Sequence, residues 1–109
     1  MTLDCINPEG LPEPQAYSHV VAASGGRLVF VAGQVAEDAA GNLVRGGARP
    51  DQVAKITIFV AGYRRDYLPL IEAGRVALFG EHKPADTLVG VEALSRPEYL
   101  IEVDAFAVV

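Results

Sequence analysis

The chain has one cysteine, two histidines and no long apolar run among its 109 residues. The single cysteine, Cys5, rules out an intrachain disulfide and fits a reducing compartment. It lies in a proline-rich start without a defined base beside it, so it reads as an inert thiol. No stretch approaches the roughly 20 apolar residues of a membrane helix. The start lacks a basic segment followed by an apolar run, which argues against a signal peptide. The expected setting is therefore soluble and cytoplasmic, with no membrane contact. His19 and His82 are far apart and have no metal-ligand spacing, so no metal site is expected. Gly25-Gly26 and Gly46-Gly47 lack the lysine and the following helix of a phosphate loop. The net charge is −5. With Arg64-Arg65 as a lone basic pair and no aromatic-basic platform, nucleic acid is not an expected partner.

What the chain does have is apolar content. Half of its residues are hydrophobic. Its length gives one domain, residues 1–109, with a small core. One small core cannot hide that much apolar surface, which points to oligomerisation.

Pro8, Gly10, Pro12 and Pro14 make the first fifteen residues extended or looped. A strand-like run through Val20, Val21 and Ala22 meets the turn signal Ser24-Gly25-Gly26. A second run, Arg27 to Ala36, follows, and the two predict a hairpin. Gly33-Gln34 at the end of the second run marks a bulge or a close backbone approach. Glu37 to Gly47 reads as a polar connection. Asp51 to Val60 is a strand with Ile56, Ile58 and Val60 on one face and Lys55, Thr57 and Phe59 on the other. Asp66 to Phe79 is the one convincing helix. Asp66 is a candidate N-cap, Pro69 falls in the first turn and Gly80 is the stop. Its apolar stripe is Tyr67, Leu70, Ile71, Gly74 and Leu78. Thr87 to Leu94 and Tyr99 to Val109 complete the strands. In the last strand Glu102 and Asp104 point away from Ile101, Val103, Ala105 and Ala107, about 7 Å apart by strand rise. About five strands and one helix result. One helix cannot cover such a sheet, so part of it packs on another subunit or an element is missing.

Several segments together resemble the RidA/YjgF family of reactive-intermediate deaminases, also described as endoribonuclease L-PSP-like. They are Pro14 to Ser18 (PQAYS), Leu28 to Val35 (LVFVAGQV), Val53 to Val60 (VAKITIFV), Phe79 to His82 (FGEH), Pro84-Ala85 and Leu100 to Ala107 (LIEVDAFA). The resemblance spans most of the chain in the family's order. It implies an α/β (α+β) chorismate-mutase-like fold, a mixed sheet backed by helix. It also implies a homotrimer with small-molecule sites between subunits, and hydrolysis of enamines and imines to ketoacids and ammonia without metal or organic cofactor.

Two departures from the family stand out. A family helix between the hairpin and the third strand is absent from this chain: Asn42 to Gly47 runs straight into Ala48-Arg49-Pro50-Asp51. Removing a covering helix exposes apolar side chains at about 1.5–3 kcal/mol each. An omitted segment or an altered chain is therefore expected over a natural short form. The second departure is Asp86, which stands where deaminating members carry a carboxylate-gripping arginine. Leu88 stands at the family's cysteine position. The pattern Pro-Ala-x-Thr-Leu-Val is closer to the branch that lacks the arginine.

The resemblance places Tyr17 and Glu102 at the cleft as catalytic residues, and Asp86, Thr87, Gly33 and Gln34 as substrate-binding ones. Glu102 would position a water or accept a proton. Each has a bland reading beside it. Asp86 reads also as a solvated carboxylate beside Lys83, Glu102 as a half-exposed strand carboxylate paired with Arg27 or Lys55, and Tyr17 as an amphipathic core residue. Two function classes follow. One is an enamine/imine hydrolase of atypical specificity, for which Asp86 would repel anionic imines. The other is a non-catalytic metabolite-binding or regulatory trimer. An endoribonuclease is the weakest reading.

Overall fold

The computed structural model of the chain describes residues 2–14, 16–34 and 48–109. The connection expected over Glu37 to Gly47 lies outside the described residues. Six strands and one α-helix are described: β1 (Thr2–Ile6), β2 (Val20–Ser24), β3 (Leu28–Gln34), β4 (Val53–Ala61), α1 (Leu68–Phe79), β5 (Ala85–Val91) and β6 (Ile101–Val108).

The main sheet has the order β3-β6-β4-β5. β4 is its centre because its sequence, VAKITIFVA, is rich in β-branched residues and alternates cleanly. It runs antiparallel to β6 and parallel to β5. The parallel pair needs a long crossover, and α1 supplies it. Ile56, Ile58 and Val60 of β4 are buried, as are Ala105 and Ala107 of β6 and Val31 of β3. They form one core with Val53 and Phe79. Burial of such side chains contributes about 1.5–3 kcal/mol each. α1 lies over this face.

The helix begins later than its sequence pattern predicts. Arg65–Tyr67 form a 3-10 turn, and Asp66 caps nothing; its carboxylate pairs with Arg64 at 2.7 Å. A 3-10 turn at Pro50–Gln52 likewise delays the start of β4. The tight entry turns take the residues that periodicity alone assigns to the elements themselves.

The predicted hairpin is not formed. β2 pairs antiparallel with β1, which the prolines had hidden, and β3 pairs with β6. Gly25 and Gly26, at φ 69° and 81°, still turn the chain between β2 and β3. That turn separates two sheets instead of joining two strands of one. β3 prefers β6 because Val29 and Val31 then align with Ala107 and Ala105 over the helix-covered core. The irregularity expected near Gly33 is present, as a register shift between Val31 and Gln34.

Beside α1 an apolar hollow of about 740 Å³ is lined by residues that include Ile58, Val60, Ile71, Leu78 and Val103. No helix among the described residues is long and apolar enough to cross a membrane.

Candidate functional site

Strand parity divides the main sheet into two chemically different faces. The helix-covered face carries the core. The opposite, open face carries Lys55, Thr57 and Phe59 from β4, and opposite them in register Phe106, Asp104 and Glu102 from β6. Thr87 of β5 is in register with Thr57 and joins this face. Leu28 and Phe30 of β3 extend it, at 63% and 69% exposure. Phe30 and Phe106 meet edge to face, with ring centroids 5.2 Å apart.

Glu102 is seated by a missing side chain. A Cβ built on Gly33 would fall 2.7 Å from the Glu102 carboxyl carbon, and nearer still to Oε2. The glycine in β3 therefore makes room for the carboxylate to lie across the sheet. Gln34 closes β3 opposite Val103, and its side chain lies outside the described part of the structure. One pair along from Glu102, Asp104 Oδ1 accepts the Thr57 backbone N–H at 3.1 Å. On the other side of β4, Lys55 Nζ donates to Thr87 Oγ1 at 2.6 Å. Burial pushes the Lys55 ammonium below its ordinary range, with Asp86 and Asp104 pulling back.

Tyr17 is held near the start of β5 by its neighbour. Ser18 is 2% exposed. Its backbone N–H donates to the Pro84 carbonyl at 3.1 Å, and its hydroxyl to the Lys83 carbonyl at 2.5 Å. A parallel bridge from Ser18 to Ala85 completes the strap. The half-buried Tyr17 ring meets His19 edge-on at 5.4 Å. Ser18 thus fixes where Tyr17 can reach.

Asp86 stands apart from these residues. It is in register with Ile56, so its side chain turns to the helix-covered face. There it meets Arg75 of α1: Nε to Oδ2 is 2.7 Å and Nη2 to Oδ1 is 3.2 Å. The side chains are 7% and 5% exposed. The shorter approach is misaligned, so Nε and Oδ2 are buried without a hydrogen bond. Desolvation raises the Asp86 carboxyl above its usual range, with Arg75 and then Lys55 opposing. Neither solvent nor the open face receives the Asp86 carboxylate. Sequence reasoning overlooked Arg75, and its signal was legible: it sits between Ile71 and Leu78 on the helix's apolar stripe, where a cation requires a buried anion.

No family model matches the chain, and neither does any curated protein. Solved structures do match. YyfB of Yersinia pestis, of the Rid protein family, is 28% identical with a TM-score of 0.92, and 100% of each chain is covered. A Mycobacterium tuberculosis member of the YjgF/YER057c/UK114 family is 25% identical over 99% of this chain and 100% of its own, with a TM-score of 0.63. Yeast Mmf1 shares the fold at 23% identity and a TM-score of 0.67, covering 98% of each chain. The chain has the Rid/YjgF fold. Among the described residues α1 is the one α-helix, in line with the expected absence of a further family helix.

Proposed function

We propose that this Rid/YjgF-type chain is an enamine/imine hydrolase that works as a homo-oligomer, a trimer by family resemblance. The supporting observation is the Glu102 carboxylate laid over Gly33 on the open sheet face. Leu28, Phe30 and Phe106 on that face are exposed and apolar, and a second copy would cover them. A carboxylate in the resulting cleft would be screened from bulk water and close to any small ligand held there.

The reaction needs little machinery. An enamine first takes a proton on carbon, gives one up from nitrogen and becomes the imine. Water then adds to the imine carbon, forming a C–O bond, while Glu102 takes a proton from the water and passes it to the nitrogen. Glu102 next takes the hydroxyl proton of the adduct and delivers it to the departing nitrogen. The C–N bond breaks as the C=O bond forms, and the products are a carbonyl compound and ammonia. Tyr17, set in place by Ser18, would donate a hydrogen bond to the substrate. Gly33 would act through Glu102 as the residue that lets the carboxylate lie flat.

The expected repulsion of anionic imines by Asp86 loses its basis, because Arg75 neutralises that carboxylate under the sheet. Imines generated in situ by an amino-acid oxidase, with ammonia release followed over the spontaneous rate, test the reading. Acceleration by the chain supports it. A stable oligomer that binds ketoacids without accelerating hydrolysis would instead support a metabolite-binding protein.

A further inference from the structure

The open face holds a cation that the described residues leave incompletely paired. Lys55 is half-buried and donates one hydrogen bond, to Thr87. It forms no ion pair among the described residues. An ammonium carries three protons, so two remain to be donated. Thr87 Oγ1 accepts from Lys55, which leaves the Thr87 hydroxyl proton free to donate. Thr57 is in register with Thr87 on the same face, and its hydroxyl has no hydrogen bond among the described residues. Three donors therefore gather at one point on the β4/β5 ladder.

Among the described residues no carboxylate accepts a hydrogen bond from these donors, although Asp86 and Asp104 both favour the Lys55 charge. Asp86 is committed to Arg75 on the opposite face. Asp104 spends one oxygen on the Thr57 backbone N–H. Covering the open face with a second copy would desolvate Lys55 further, and an unpaired ammonium in such a place is costly.

From this geometry we infer that Lys55, Thr87 and Thr57 form an anion-binding site for the carboxylate of a small metabolite. Asp104 stands across β4 from Thr87 and repels added negative charge, so the site takes a monoanion in preference to a dianion such as phosphate. Thr87 and Glu102 lie on strands separated by β4, about 10 Å apart across the sheet. The site is thus a second position on the face, distinct from the Glu102–Gly33 seat. It stands on donor geometry alone and does not depend on hydrolase activity.

Titration of the full chain with pyruvate at constant ionic strength, followed by backbone amide resonances and by calorimetry, tests the site. The probes are pyruvate, acetate and inorganic phosphate. Pyruvate is expected to saturate and to move Lys55, Thr57 and Thr87 more than Gly33 and Glu102. Lys55→Met is expected to weaken binding about tenfold, the loss of one charge-assisted hydrogen bond. Lys55→Arg should retain binding within about threefold, since charge and donors are kept. Thr87→Val provides a second, shape-conserving variant and should weaken binding several-fold. Unsaturable shifts, equal binding by folded Lys55→Met, or tighter binding of phosphate than of pyruvate would each overturn the inference. Turnover is not part of the readout, so a chain without hydrolase activity is tested equally well.

Discussion

Arg75 and Asp86 face each other across the helix–sheet layer at 2.7 Å, both nearly sealed from solvent. The pair explains how a carboxylate can begin an apolar strand and how an arginine can sit on the apolar stripe of a helix. It also removes the charge at position 86 from the open face.

Breaking the pair from either side leaves a buried charge behind. Arg75→Met and Asp86→Asn should each destabilise the fold by about 3 kcal/mol near neutral pH. The double variant Arg75→Met/Asp86→Leu should recover most of the loss. Urea unfolding of all three measures this. The pH dependence has a definite sign. Desolvation raises the folded-state carboxyl of Asp86 above its ordinary, unfolded value. Its contribution to stability is thus fully present below that value and is lost as pH rises through the folded pKa. The cost of Asp86→Asn should shrink over the same rise. A cost that grows with pH would show that Arg75 outweighs desolvation.

Gly33→Ala tests the seat of Glu102. The new Cβ would collide with the carboxylate, the far end of a flexible side chain. The fold should yield by moving Glu102, with a small change in thermal midpoint. Imine hydrolysis should fall by about tenfold or more, the order of effect of misplacing a general base. A variant with unchanged turnover would detach Glu102 from the reaction.

The open face should be an interface. Light scattering on the wild-type chain should give three times its 11.5 kDa mass. Phe30→Asp or Phe106→Lys should shift the mass towards one copy, because each places a charge on the exposed aromatic pair. A monomeric wild type would remove the cleft on which the proposed hydrolase depends.

Much of this fold could be read from alternation. Ile56, Ile58 and Val60 against Lys55, Thr57 and Phe59 assigned both faces of β4, because side-chain direction along a strand has period two. Partner choice could not be read in the same way. β2 lies next to β3 in sequence yet pairs with β1, since non-local pairing depends on which faces bury together. Asp86 is the sharpest case. A shift of one residue in register sends a strand side chain to the other face. The sequence near Pro84 does not say whether position 86 is in register with Ile56 or with Lys55 or Thr57, and so which face it takes. Gly33 signalled a close approach, but only the structure identifies Glu102 as the group that approaches. Ser18 carried no periodic signal at all, because a strap is made of two hydrogen bonds to backbone carbonyls far along the chain.

Ammonia release from 2-iminopropanoate, compared between the wild-type chain and Glu102→Gln at equal oligomer concentration, bears most directly on the proposed activity. Hydrolysis above the protein-free rate is expected for the wild type, with a loss of about a hundredfold or more in the variant, within the range of general acid–base catalysis. A wild-type rate equal to the protein-free control, or a Glu102→Gln rate equal to wild type, would contradict the proposed activity.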